Sequence, residues 1–239
     1  MRQKQFLLAF LAMLLCFAAP SFAQVAKIGG TEYETLSGAI AAATAGQTIE
    51  LIADVNQNVT ISKSLTIDGA GKTYTGSMTL NKKANVTVKN VNFDGKGYNG
   101  YAINSNGAAN LTIEGGTSKN YGYGFVQVAK GANLITVKNV TVSDMNYGVK
   151  VDYSNAVVLE NVNITAGVAA VLNSNYGEKP ITVKNSKLNI LGTWTRNNTI
   201  KTNYAHRYRH RHPARDVRND GRSRAPAISH QGVRQAPCP

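Results

Sequence analysis

One five-residue phrase, repeated six times, constrains this chain more than any other feature. It runs Leu65-Thr-Ile-Asp-Gly69, Val86-Thr-Val-Lys-Asn90, Leu111-Thr-Ile-Glu-Gly115, Ile135-Thr-Val-Lys-Asn139, Val157-Val-Leu-Glu-Asn161 and Ile181-Thr-Val-Lys-Asn185. The copies start 21, 25, 24, 22 and 24 residues apart. A fixed period of this length marks a solenoid-type repeat, in which no unit buries its apolar face alone. Apolar and polar residues alternate within the phrase, so it is a strand. Its last position is Gly or Asn, the residues that accept a left-handed backbone at least cost, so a bend follows. A second apolar pair comes after most bends (Val91/Phe93, Val140/Val142, Val162/Ile164), then a third short strand at Tyr101–Asn104, Phe125–Val128, Val149–Asp152 and Ala170–Asn173. Three strands and three bends make one coil.

Stacked coils place equivalent residues about 4.8 Å apart. One inward column is then Leu65, Val86, Leu111, Ile135, Val157 and Ile181, and the next is Ile67, Val88, Ile113, Val137, Leu159 and Val183. The outward positions test this register. Thr66, Thr87, Thr112, Thr136, Val158 and Thr182 form a β-branched ladder suited to strands. The neighbouring column reads Asp68, Lys89, Glu114, Lys138, Glu160, Lys184, alternating in sign at every coil, as adjacent strands require. Six or seven coils are expected, with both inward columns buried. The similar period of leucine-rich repeats is set aside, because their fixed leucines and helical segment are missing.

Before the coils lie two further segments. Arg2 and Lys4, the apolar run Phe6–Ala19 and the small-x-small triplet Ser21-Phe22-Ala23 read as a secretory signal peptide over residues 1–23, cut before Gln24. The run is too short to span a bilayer, which needs roughly 20 apolar residues, so no transmembrane segment is expected after cleavage. Residues 24–56 form an N-terminal cap and first strand: Glu34–Ala45 is helix-compatible and Gln47–Val55 a strand. A short helix there would cover the apolar end of the stack. Cys16 leaves with the leader and Cys238 lies at the extreme C-terminus, so no disulfide framework supports the coils.

Charge divides the chain again. Residues 24–195 hold 14 Lys, no Arg and 11 acids, whereas residues 196–239 hold nine Arg, one Lys, two acids and all four His. The coils are assigned to residues 57–195 and a basic disordered tail to 196–239. That tail reads as an electrostatic binder of anionic polymers or nucleic acid, as a metal site through His206, His210 and His212, or as frame-shifted, non-native sequence. The abrupt change in residue usage favours the last reading. Nucleic acid is not an expected partner, and no cofactor or metal is expected.

The phrases Gly30-Thr-Glu-Tyr-Glu-Thr-Leu-Ser-Gly-Ala-Ile, Gly46-Gln-Thr-Ile-Glu-Leu and Leu65-Thr-Ile-Asp-Gly-Ala-Gly-Lys-Thr resemble the N-terminal region of bacterial surface proteins of the pectin-lyase-like superfamily. The resemblance covers about residues 25–193. It implies an all-β fold, a right-handed parallel β-helix with a short N-terminal capping helix, and a secreted or cell-surface location. It says little about activity, since such a fold hosts lyases, hydrolases and adhesins alike.

Catalysis is not expected. Hydrolases of the superfamily use clustered aspartates, whereas Asp68, Asp94, Asp144 and Asp152 are scattered over different coils. Its lyases use an acidic calcium site beside an Arg or Lys base, and these coils have no Arg. Lys150 beside Asp152 is the nearest approach, and an outward Lys-x-Asp reads as a solvated salt pair. Gly69-Ala-Gly-Lys-Thr73 is no phosphate loop: Thr66 stands where the pattern needs its first Gly, and no helix follows. Sequons such as Asn58-Val-Thr60 are by-products of the repeat. The remaining candidates are Tyr98, Tyr101, Tyr121, Tyr123 and Tyr147, in Asn/Gly-rich bends of three successive coils. Such tyrosines either stack on sugar rings or cover the bends. The sequence thus predicts a structural or adhesive module, with an extracellular polysaccharide as candidate partner and end-to-end self-association through an open last coil. The alternatives are a polysaccharide lyase or hydrolase, and an N-terminal fragment of a longer surface protein.

Overall fold

The computed structural model describes residues 23–81, 83–130, 134–152, 156–173, 180–196 and 199–202. The expected leader, apart from its last residue, and everything from residue 203 onward lie outside the described residues. The chain opens with two short antiparallel strands, β1 (Ala26–Ile28) and β2 (Thr31–Tyr33), and one helix, α1 (Leu36–Ala42). The coils follow: β3 (Thr48–Leu51), β4 (Val55–Asn56) and β5 (Val59–Ile61), then β6 (Leu65–Asp68), β7 (Thr73–Thr75) and β8 (Met78–Asn81). In the next two, a single strand runs through the first bend: β9 (Asn85–Asp94) with β10 (Tyr101–Asn106), and β11 (Asn110–Lys119) with β12 (Gly124–Lys130). Then come β13 (Leu134–Lys138), β14 (Thr141–Val142) and β15 (Tyr147–Val151), and β16 (Ala156–Glu160), β17 (Asn163–Ala166) and β18 (Ala169–Asn173). The last are β19 (Ile181–Lys184) and β20 (Lys187–Ile190), followed by a two-stranded antiparallel sheet of β21 (Thr193–Arg196) and β22 (Thr199–Thr202).

Equivalent strands pair in parallel and build three walls. The first is β3-β6-β9-β11-β13-β16-β19. The second joins β4 to β7, continues through the far halves of β9 and β11, and ends in β14, β17 and β20. The third is β5-β8-β10-β12-β15-β18. The register is the one expected: Leu65 pairs with Val86, Val86 with Leu111, Leu111 with Ile135 and Ile135 with Val157. The fold is therefore an all-β solenoid with parallel sheets and a single short helix, of about five turns. Six or seven coils were expected, and the last phrase, in β19 and β20, has no third-wall strand among the described residues.

From Leu65 to Val157 and from Ile67 to Leu159, the two inward columns are buried. So are Val91, Phe93, Val140, Val142, Val162 and Ile164 of the second wall. Each such side chain contributes roughly 1.5–3 kcal/mol, and most of that is offset by the entropy of ordering the chain. Stability is thus a property of the stack. Outside, the alternating column resolves into pairs, Lys89–Asp68 at 2.9 Å and Lys138–Glu114 at 3.0 Å. Lys27–Glu50 at 3.0 Å extends the series toward β1.

The bends confirm the role of Asn and Gly. Asn90, Asn139, Asn161 and Asn185 take φ of 54°, 57°, 52° and 48°, and Gly115 takes 73°. Gly69 differs. There the left-handed residues are Ala70 and Gly71, and Gly69 is required for space: a Cβ would lie 2.4 Å from the Asn90 carbonyl oxygen.

At the N-terminal end α1 is shorter than the Glu34–Ala45 window. Thr35 accepts a hydrogen bond from Gly38 N–H at the start, and Ala43 is already extended. Lys63 Nζ donates to the Ala41 and Ala43 carbonyls at 2.8 and 2.7 Å, satisfying groups that a helix C-terminus leaves unpaired. Leu36, Ala39 and Ile40 of α1 are buried in the core. The single strand expected over Gln47–Val55 is split into β3 and β4, because the first corner falls between them.

The opposite end departs from expectation more sharply. Ile181 and Val183 continue the inward columns in register, yet they are 37% and 45% exposed. Leu188, Ile190 and Leu191 are exposed as well. Burial in a column needs a coil on both sides. Here the chain leaves the stack into β21 and β22, which pair only with each other. That hairpin also carries described structure past residue 196, where the tail was expected to begin. No helix among the described residues is long and apolar enough to cross a membrane.

Candidate functional site

The corner between the second and third walls brings charged, amide and aromatic side chains together. In successive coils it is made by Asp94–Gly100, Lys119–Tyr123 and Ser143–Asn146. Lys96, Asn120 and Asp144 are left-handed there, with φ of 46°, 61° and 55°. Backbone bonds join one coil to the next, including Gly97 N–H to the Asn120 carbonyl at 2.9 Å, Gly122 N–H to Tyr98 at 2.8 Å and Gly167 N–H to Met145 at 2.8 Å. Asn120 Nδ2 donates to Asp94 Oδ1 at 2.9 Å and Asn146 Nδ2 to the Gly122 carbonyl at 2.6 Å. A groove of about 650 Å³ follows this corner along the solenoid axis, lined among others by Lys96, Asn120, Asp144, Met145 and Leu191.

The five tyrosines separate here. Tyr121 is buried, and its hydroxyl donates to the Gly76 carbonyl at 2.8 Å. Its ring packs over Gly95, where a Cβ would lie 2.8 Å from Tyr121 Cγ. Burial pushes its hydroxyl pKa up. Tyr121 is a core residue, and the expectation that its face is open to a ligand is corrected. Tyr101 is also buried, 8% exposed, and burial raises its pKa too. It is stacked on Tyr123 with ring centroids 5.9 Å apart and planes at 15°, so it supports a neighbour instead of meeting solvent. Tyr98 and Tyr123 are exposed at 40% and 38%, and Tyr147 is half-buried. Tyr98 stands edge-on to Tyr121 at 6.2 Å, which fixes its ring.

Gly124 explains how Tyr101 and Tyr147 share a column. It pairs with Tyr101 on one side and Tyr147 on the other. A Cβ at Gly124 would lie 2.8 Å from Tyr101 Cε1 and 2.4 Å from the Tyr147 carbonyl oxygen. The absent side chain is the space in which the Tyr101 ring lies.

Beside these rings the outward face of the third wall carries a column that motif reading missed: Thr60, Thr79, Asn104, Gln127, Lys150 and Leu172, paired in register. Lys150 Nζ lies 2.7 Å from both Asp152 carboxylate oxygens, and Gln127 Nε2 donates to Asp152 Oδ2 at 3.0 Å. The pair is more enclosed than the solvated salt pair expected, with side chains 23% and 22% exposed. Asn104 and Gln127 were findable. They hold the positions two coils and one coil before Lys150, so aligning the third strands of the repeat places all three on one face.

Chemically this strip offers aromatic faces, amides, hydroxyls and one internally neutralised ion pair. Among the described residues no three His, Cys, Asp or Glu side chains converge as a metal site, and the histidines of the tail lie outside those residues. No protein-family model, curated protein or solved structure matches the chain. The fold is therefore stated from the structure itself, and the pectin-lyase-like resemblance stands on the sequence phrases alone.

Proposed function

We propose that this chain is a secreted or surface-displayed, non-catalytic β-helix module that holds an extended polysaccharide along the corner between its second and third walls. The carrying observation is that aromatic rings recur at this corner in consecutive coils, beside one in-register column of polar side chains. Tyr98, Tyr123 and Tyr147 come from three consecutive coils, and Asn104, Gln127 and Lys150 lie in one column beside them. A linear glycan repeats along its length as a solenoid does, and successive coils advance by about 4.8 Å. Aromatic faces receive the apolar face of a sugar ring while amides and hydroxyls bond its rim. Backbone bonds from coil to coil hold the strip, so little ordering accompanies binding.

A glycan array probed with the full chain tests this reading. The expected result is retention on at least one linear glycan, lost in Tyr123→Ala; binding unchanged in Tyr123→Ala and Tyr147→Ala would contradict it. The catalytic alternative is met by incubating the chain with calcium and pectin-like polymers. No unsaturated or reducing ends should appear. Acid–base cleavage needs a placed proton donor or acceptor, and turnover abolished by Lys150→Ala would overturn the non-catalytic reading.

A further inference from the structure

Resting on that reading of the site, we infer that the ligand is an uncharged polysaccharide and not a polyuronate or other polyanion. A chain of acidic sugars presents one carboxylate per residue, and a solenoid that reads it needs unpaired cations at matching intervals. The third wall has none to offer among its described side chains. Strands β5, β8, β10, β12, β15 and β18 hold two lysines, Lys130 at the end of β12, outside the described side chains, and Lys150, which Asp152 meets just past the end of β15. That ammonium lies 2.7 Å from both oxygens of Asp152, whose carboxylate also takes the Gln127 amide. Turning Lys150 toward a ligand carboxylate would leave Asp152 facing the same anion, a like-charge contact in a partly enclosed place.

The corner is balanced in number: Lys119 lies 3.7 Å from Asp94, and Lys96, which lines the groove, and Asp144 complete two cations and two anions. The Asn120 amide, ahead of the opposing effect of burial, holds the Asp94 carboxyl below its usual range, so it stays charged. Corner and wall together carry three described cations and three anions. Apart from the single Lys96, what remains for recognition is uncharged: the rings of Tyr98, Tyr123 and Tyr147, the amides of Asn104 and Gln127, and the Thr79 hydroxyl. These groups complement sugar hydroxyls and the C–H faces of neutral rings.

Affinity electrophoresis of the full chain separates the possibilities. Gels contain either a neutral polymer panel (β-glucan, mannan, galactan) or polygalacturonate, each at low salt and at high salt. The nine tail arginines give any polyanion a salt-sensitive hold that has nothing to do with the site. The readout is therefore the change caused by site variants whose circular dichroism matches the parent. At least one neutral polymer is expected to retard the chain equally at both salt levels. Tyr123→Ala should weaken that retention about tenfold, whereas retention by polygalacturonate should not respond to it. Asp152→Asn releases Lys150 and should add a salt-sensitive increment to polygalacturonate binding. If Tyr123→Ala weakens polygalacturonate retention and no neutral polymer binds, the site stands and the uncharged class is wrong. If no polymer's retention responds to Tyr123→Ala or Tyr147→Ala, the site reading itself is wrong.

Discussion

Replacing Asn139 with Val tests the bends that turn each strand into a coil. Asn139 has φ of 57°, its N–H donates to the Glu160 carbonyl at 3.0 Å, and its Oδ1 accepts from Asn161 Nδ2 at 3.2 Å. The left-handed backbone costs an L-residue roughly 1–2 kcal/mol, at the upper end for a β-branched one. Losing the amide bond at an exposed site adds about 0.5–1 kcal/mol. Asn139→Val should therefore destabilise the coils by about 1.5–3 kcal/mol. Asn139→Gly keeps the backbone relaxed and loses only the side-chain bond, so it should cost less than about 1 kcal/mol. Thr136→Val, on the outward face three residues earlier, should be nearly silent, because Val suits a strand. Urea unfolding followed by far-UV circular dichroism reads all three, as shifts in midpoint at constant slope. For a body of this size 1 kcal/mol also moves the melting temperature by about 2–4 °C. Equal losses in Asn139→Gly and Asn139→Val would refute the argument, since the cost would then lie in the amide and not in the backbone.

Other consequences follow from single residues. Ser118 points inward between Phe93 and Val142 in its column, and its hydroxyl is buried without a partner; Ser118→Ala should raise stability by about 1 kcal/mol in the same urea assay, and a loss would mean the hydroxyl is bonded after all. Asp68 and Asp94 both have lowered carboxyl pKa values: partial burial of Asp68 works the other way but is outweighed by bonds from Lys89 and Ala70 N–H, and Asp94 is held chiefly by Asn120. A carboxyl depressed on folding contributes stability above its unfolded value, about 3.9, and that stability disappears as pH falls through the folded value. The urea midpoint should accordingly stay level from pH 7 to about 5 and fall below about 4; a decline already between pH 7 and 5 would point to other groups. At the open end, the exposed Ile181, Val183 and Ile190 should drive concentration-dependent association, visible in sedimentation velocity and relieved by Val183→Lys, whereas an unchanged monomer at all concentrations would mean that end is covered.

The repeat was legible because each of its requirements leaves a separate mark. Inward columns mark the alternation, outward pairs mark the charge series, and left-handed bends mark Asn90, Gly115, Asn139, Asn161 and Asn185. The exception at Gly69 shows the limit of that reading. A glycine needed for a left-handed φ and one needed for a close carbonyl look alike in sequence. The same ambiguity governed the site. Tyr98 and Tyr121 both sit in Asn/Gly-rich bends, but Tyr121 turns inward to a carbonyl 45 residues away, a contact no local pattern encodes. Ile181 and Val183 fit their columns perfectly well and are nevertheless exposed, because burial there depends on the coil that follows and not on the phrase. The third-wall column of Asn104, Gln127 and Lys150 was available from alignment of the coils. It carries no motif, which is why residue-type searches pass over it.

Both the groove and the strip depend on coil register, and engineered cysteine pairs measure that directly. The coils contain no cysteine, so a Cys16→Ser/Cys238→Ser background leaves only the introduced pair. Thr112 and Thr136 are partners on neighbouring parallel strands, and Thr182 lies two strands beyond Thr136 in the same column. Neighbours in a column are about 4.8 Å apart, within the Cα separation of roughly 4.4–6.8 Å that a disulfide spans. Oxidised Thr112→Cys/Thr136→Cys should form an intramolecular disulfide that shifts its mobility on non-reducing gels, while Thr112→Cys/Thr182→Cys, three coils apart, should remain free thiols by Ellman titration. Cross-linking of the distant pair, or none in the adjacent pair, would contradict the stacked register on which the proposed function stands.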